Sequence, residues 1–439
     1  MTKNQEPITN NPPHYWLKNA HIPASLLENP QQFSQTRGHL CSLDLEIQDG
    51  YIKQLLPSGI VQDYLSSFDV RQGIILPCFV DSHTHLDKGH IWDRSPNPNS
   101  TFEEALATSQ VDAGKYWQFD DLYRRMEFGL KCSYAHGTQA IRTHIDCGNG
   151  QYKISLAVFR QLQREWQDKI TLQAVSLVPL DCFLTEEGIA IADEIAALGE
   201  VLGGVAYMNP QLDQQLDAVF TLAKTRGLDL DFHADENGDA DSICLQKIAE
   251  AAIRHHFSGK ITCDHCCSLA VQSPETVAAT LQQVKAANIS LISLPMCNLF
   301  LQDRQTRKTP YWRGIPPVQE IQQAGIPVAF ASDNCRDPFF SFGDHDMLEV
   351  FNQSVRIAQL DQSYRDWWPS VNQTPAQMMG LSEVGEIRVG TPADLIVFQG
   401  RYESELFARS QHNRQVLRNG QPIDTTLPDY RELDDLMKR

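Results

Sequence analysis

Two histidines one residue apart, His83 and His85, close an otherwise apolar run in ILPCFVDSHTHLDKGH. A segment that only had to fill a core would continue with Val or Ile. The abrupt switch to imidazoles, followed by Asp87 and Lys88, needs a chemical reason. Single polar groups close other short apolar runs: His233 and Glu236 in LDFHADE, His265 in ITCDHCC and Asp333 in VAFASDN. Neutral imidazole and carboxylate are N and O ligands suited to a divalent transition metal. A carboxylate beside such a set can also carry a proton. One histidine of this kind, taken alone, is more often a hydrogen-bonded core residue than a ligand, and His-x-His is a weak motif by itself. Its repetition at the ends of separate runs argues for one site.

The elements between these residues supply the positioning. TQAIRTHID, TLQAVSLVP, LGGVAYM, LDLDFHADE, ITCDHCC, ISLISLP and VAFASDN read as strands. They alternate with AVFRQLQREW, AIADEIAAL, LDAVFTLAKTRG, CLQKIAEAAIRHH and PETVAATLQQVKAAN, whose apolar residues recur every three or four positions. With the opening strand this makes eight, and strand–helix alternation favours parallel pairing. His83 to Asp333 spans 250 positions, the length of an α/β (β/α)8 TIM-like barrel. A doubly wound open sheet is the competing arrangement, and no Gly-rich phosphate loop supports it. In a barrel the site forms at the C-terminal strand ends, and residues i and i+2 share a face, so both His83 and His85 can face the axis. Arg142, His144 and Asp146 also alternate along one strand and read as a brace for the barrel mouth.

Both ends of the chain carry a different pattern. LCSLDLEIQDGYIKQLLPSG near the start, and GEIRVGTPADLIVFQG and RQVLRNGQPI near the end, read as short strands, with an Asn419–Gly420 turn. The expected organisation is a barrel over 77–384, with 1–76 and 385–439 forming the two parts of a small β domain. Ser100 and Glu103 in STFE read as a capping box that opens a helix.

The chain has 439 residues and a net charge of −18, from 55 acidic against 37 basic residues. That balance argues against nucleic acid or an anionic membrane as partner. No apolar run reaches the roughly 18–20 residues a membrane helix needs. The opening MTKNQEPITNNPPH lacks the apolar core of a secretion signal. The 11 cysteines are scattered, which predicts reduced thiols in a cytoplasm. Cys263, Cys266 and Cys267 flank His265 and raise a zinc site as an alternative, but no second CxxC completes four ligands.

LPCFVDSHTHLDK, HGTQAIRTHID, FHADE, CDHCC and ASDNCRDPF, in this order and spacing, resemble the amidohydrolase superfamily and, within it, its bacterial cytosine deaminase branch. VGEIRVGTPADLIVF resembles that family's return strand into the small domain. The resemblance runs from about Gly38 to about Gly420 and implies a distorted (β/α)8 barrel with a β-sandwich built from both termini. It implies one divalent ion, zinc or iron, on His83, His85, His233 and Asp333, because GVAYMNP on the fourth strand lacks the bridging Lys or Glu of two-metal members. Metal-bound hydroxide would attack an amino-bearing ring carbon. Asp333 would take the proton, Glu236 would shuttle it to the ring nitrogen, and His265 would stabilise the nucleophile or developing oxyanion.

Lys88, Leu180, Trp312 and Asn334 are the candidate substrate contacts. Two departures bear on the substrate. Leu180 and Asp181 stand where the best-known cytosine deaminases carry a ring-reading glutamine, and Asn334 replaces a second aspartate. The expectation is an aminohydrolase for a cytosine-like amino-heterocycle. The two departures predict that cytosine is not its best substrate, while cytosine stays the compound that the resemblance names first. Release of an alkylamine from an aminotriazine, cyclic amide hydrolysis, and a non-catalytic metal-binding role are the alternatives. The oligomeric state stays open, a homo-oligomer included.

Overall fold

The structure is a computed structural model that describes residues 11–36, 38–61, 66–305, 307–409 and 413–438. The first ten residues of the polar N-terminal run lie outside the described residues. Two compact units share the chain: one drawn from Asp81–Cys132, Ala140–Gln359 and Pro428–Arg439, the other from Met1–Val80, Ser133–Gln139 and Leu360–Leu427.

The eight apolar runs are strands. β1 (Phe79–Thr84), β2 (Thr138–Asp146) and β3 (Thr171–Leu177) form a three-stranded sheet in that order. β4 (Leu202–Ala206), β5 (Leu230–Ala234), β6 (Ile261–His265), β7 (Ile289–Ser293) and β8 (Val328–Phe330) form a five-stranded sheet, also in chain order. β2 and β3 run parallel, as do all neighbours in the larger sheet. Isolated parallel bridges pair Thr84 with Asp333, Val175 with Val201 and Pro179 with Val205. Every residue of β1, β5 and β6 is buried, as expected for parallel strands covered on both faces. That is why these runs read as continuously apolar rather than alternating. Gly203 on β4 is held by space: a Cβ there would meet Val175 Cγ1 at 2.2 Å and the Asp231 carbonyl oxygen at 2.5 Å.

Helices Tyr152–Trp166, Glu186–Leu198, Leu212–Arg226, Cys244–Arg254 and Pro274–Ala286 fall between successive strands, where the 3.6-residue period places them. The helix Phe102–Tyr116 corrects one expectation. Its cap is Thr101, whose side chain accepts from the Glu104 N–H at 3.3 Å, not Ser100. Ser100 has φ +57°, outside the extended region an N-cap occupies, and its own N–H donates to Asn97 Oδ1 at 2.7 Å.

In the second unit, Leu40–Gln48 and Tyr51–Pro57 pair around Asp49–Gly50, and Arg414–Arg418 and Gln421–Pro422 around Asn419–Gly420. Both turns have positive φ at both central residues, the type I′ pattern that matches strand twist. Ile75–Pro77 lies antiparallel to Leu395–Phe398, so segments from both ends of the sequence share one sheet. Leu17, Leu45, Ile75, Leu395 and Leu417 belong to one core cluster that takes residues from both sheets of this unit. Its strand His14–Pro23 has no counterpart in the sequence reading. Among the described residues no helix is long and apolar enough to cross a membrane.

Candidate active site

The end of β1 brings His83 and His85 together, with Nε2 atoms 3.3 Å apart. His233 on β5 places its Nε2 3.4 Å from that of His85. Asp333, three residues beyond β8, places Oδ1 3.4 Å from His83 Nε2 and 3.3 Å from His85 Nε2. An ion with bonds of about 2.0–2.1 Å and tetrahedral geometry separates its ligand atoms by about 3.3–3.4 Å. Four of the six edges of such a tetrahedron are thus already set. Neither carboxylate oxygen of Asp333 has a hydrogen-bond partner among the described residues, although the side chain is 1% exposed. A buried carboxylate without donors is costly unless a cation faces it. The donor set therefore fits a divalent ion.

The groups behind the cage fix its orientation. His83 donates through Nδ1 to Asp264 Oδ2 at 2.9 Å, which aims Nε2 inward. Burial lowers the basicity of His83, but the Asp264 and Asp333 carboxylates outweigh it and raise the imidazole to about 10, so an ion binding at Nε2 would displace a proton there. Burial keeps His85 and His233 well below their ordinary value, so both are neutral. Burial opposes ionisation of Asp333, yet the facing His83 and His85 hold it well below the usual carboxylate range. Asp333 has φ +64° and His265 φ +68°, left-handed conformations that non-glycine residues adopt at a cost. His83 and His233 also group with His144 and Asp264, while His83, His85 and Asp333 form a group of their own. His144 Nε2 is bonded to Asp231 Oδ1 at 2.9 Å, and its Nδ1 has no partner among the described residues.

Acid–base groups line one side. Glu236, next to a turn beyond β5, lies 3.4 Å from His265 Nδ1. Burial first, and then the charge of Asp333, push the Glu236 carboxyl well above its ordinary value, the direction that favours its protonated form. Burial brings His265 down to about 3. Asn298 Nδ2 lies 3.0 Å from His265 Nδ1 and 3.4 Å from Glu236 Oε1. Because the amide donates, His265 Nδ1 accepts and its proton sits on Nε2, which has no partner among the described residues.

Lys88 Nζ pairs with Asp146 at 2.8 Å and reaches His85 Nδ1 at 3.4 Å. Trp312 lies against Gly238, where a Cβ would meet its Cζ2 at 2.8 Å. Asn334 donates to Asp337 Oδ2 at 2.7 Å. Leu180 is 1% exposed and packs against Gly204 of β4. Arg142 and His144 bond Asp231, and Asp146 takes Lys88. Asp231, Asp264 and Asn298 escaped the sequence reading. Asp231 and Asp264 carried a signal, since each stands one or two residues before a site histidine on its strand. Cys263, Cys266 and Cys267 are buried and enter none of the metal-capable groups among the described residues.

The chain matches the amidohydrolase family over residues 118–424. It is 46% identical over 399 residues to the pterin deaminase of Rhizobium rhizogenes strain K84, covering 91% of each protein. It is 24% identical over 383 residues to N-isopropylammelide isopropyl amidohydrolase of Pseudomonas sp. strain ADP, covering 83% of this chain and 89% of that one. The 5-methylcytosine deaminase of Klebsiella pneumoniae, solved with 5-fluorocytosine, superposes with a TM-score of 0.80 at 23% identity, covering 95% of this chain and 98% of that one. At that identity the likeness speaks for a TIM-like fold.

Proposed function

Because the chain belongs to the amidohydrolase family, we propose that it is a metal-dependent aminohydrolase that removes the ring amino group of a pterin as ammonia. Its class is a hydrolase of C–N bonds acting on amino-heterocycles. The bicyclic substrate rests on the 46% identical relative, and the cage of His83, His85, His233 and Asp333 is the observation that carries the chemistry. We read the eight strands as one closed barrel, supported by the Thr84–Asp333 and Val175–Val201 bridges, and the second unit's sheets as a β-sandwich. Eleven cysteines, all unpaired, support a reducing cytoplasm as the setting.

A divalent ion in the cage, zinc or iron, would supply hydroxide at neutral pH by lowering the pKa of water from 15.7 to about 7. Asp333 Oδ2 is left to accept the proton that water gives up. Glu236, protonated, delivers its proton to the ring nitrogen beside the reacting carbon and so neutralises the charge that builds there. His265 presents Nε2–H to the developing oxyanion. Collapse of the tetrahedral carbon breaks the C–N bond. The amine leaves as ammonia with the proton held by Asp333, the added hydroxyl returns its proton to Glu236, and the ring carbon becomes a carbonyl.

Cytosine gives way to pterin as the first compound to test. A cytosine ring has one amino-pyrimidinone edge and nothing beyond it, whereas a pterin carries a second ring. Tyr207, which is exposed, and Trp312, which lies against Gly238, are the aromatic side chains we propose to face that ring. The test is ammonia release from pterin, cytosine, 5-methylcytosine, isocytosine, guanine, creatinine and aminotriazines. Pterin leading in kcat/KM by tenfold or more supports the reading. Cytosine leading, or isopropylamine release from N-isopropylammelide outpacing every ammonia release, overturns it.

A further inference from the structure

A second cluster of ligand-type side chains lies apart from the cage. His90 follows β1 by six residues, Cys335 follows Asp333 by two, and His345 precedes the helix Met347–Ile357. One nitrogen of each histidine and the Cys335 sulfur lie within 4.8 Å of one another. All three side chains are buried, at 4%, 2% and 3% exposure. His90 Nε2 and His345 Nε2 are 3.3 Å apart, the separation of His83 and His85 in the cage.

Three further features hold this geometry. His90 and His345 have φ +63° and +54°, left-handed backbone that turns both rings toward the same point. The His90 N–H donates to the Cys335 carbonyl at 3.1 Å, which ties the two loops together. Inside helix Phe119–Ala135, Gly129 provides room: a Cβ there would lie 3.0 Å from His345 Nε2 and 2.9 Å from Leu86 Cδ2. Glycine is a poor helix residue, so its presence in mid-helix is explained by the imidazole packed against it. His90 Nδ1 has no hydrogen-bond partner among the described residues, so neither nitrogen of this ring is committed outside the cluster.

We propose that His90, Cys335 and His345 form a second metal site, separate from the catalytic cage, for one zinc-class divalent ion with water as fourth ligand. Two imidazoles and a thiolate are a borderline-soft set that suits zinc and disfavours magnesium and calcium. On binding, the Cys335 thiol releases its proton to solvent and sulfur bonds the ion. The ion would clamp the loops that follow β1 and β8, which also carry the cage ligands His85 and Asp333. The proposal stands whether or not the substrate is a pterin.

Cobalt(II) loading of the full-length protein separates the two sites. The cage offers only nitrogen and oxygen, so it cannot give a thiolate-to-cobalt charge-transfer band. The wild type is expected to show that band and to bind two cobalt ions per chain. Cys335→Ser and His345→Gln, each verified as folded by circular dichroism, are expected to lose the band and one equivalent while keeping the other. A wild-type protein that binds one equivalent without the band overturns the second site, as does a band that survives in both variants. Loss of the cage ion with the band intact would count against the cage alone.

Discussion

Two clusters of buried histidine and aspartate lie side by side, with the His83 and His144 ring centroids 4.0 Å apart. In the outer one, donors meet acceptors apart from His144 Nδ1. Asp231 accepts from His144 at 2.9 Å, from Arg142 at 2.8 Å and from Thr262 at 2.5 Å, and Arg142 Nε donates to Gln173 at 2.8 Å. In the inner one, nitrogen faces nitrogen, and Asp333 has no donor of its own. The residue types are the same and the burial is the same. What differs is which lone pairs are already used. The largely satisfied cluster reads as a scaffold, and the one with lone pairs left over is where we propose the cation.

Substitutions can break that contrast. His83→Ala removes a cage ligand and should abolish both bound metal and ammonia release; full activity from a metal-free protein, by elemental analysis, would refute the cage. Asp231→Asn strands the buried Arg142 cation and should lower the unfolding free energy by about 3–5 kcal/mol. Denaturant titration measures it, and the folded fraction should retain its metal. Loss of metal without loss of stability would mean that Asp231 belongs to the site. Glu236→Gln keeps the metal and the fold, and should lose at least about 10²-fold in kcat; near-normal turnover would assign proton delivery elsewhere. Asp264→Asn sharpens the comparison, since Asp264 touches both clusters. It should weaken metal affinity about 10–100-fold with a smaller effect on stability than Asp231→Asn, as read by competition with a chelator.

The cage was legible because its residues interrupt apolar strands that are buried on both faces. An imidazole stands out in FVDSHTH or LDFHA because nothing in the core calls for it. The scaffold was harder to read, since Arg142 and His144 meet Asp231 across 89 and 87 positions. No local period records such a pairing. Asn298 sits in a short helix, Pro295–Leu301, where its amide looks like any helix polar group. The strand His14–Pro23 was missed because a register shift between Leu17 and Ala20, with Asn19 at φ +58°, breaks the two-residue alternation. Ser100 was misread as a cap because a sequence pattern does not reveal a left-handed φ.

The bridge between Thr84 and Asp333 joins positions 249 residues apart. A ribosome adding about 5–20 residues per second needs roughly 12–50 s to cover that distance. Throughout that interval the nascent chain presents His83 and His85 as a bidentate pair without the carboxylate, and β1 lacks its neighbour from the far end of the sequence. Such a pair would bind divalent ions with an affinity for imidazole, copper before zinc by the usual order. If the cage holds a metal as proposed, its identity would then depend in part on whether an ion captured during synthesis can still exchange after Asp333 arrives and closes the cage.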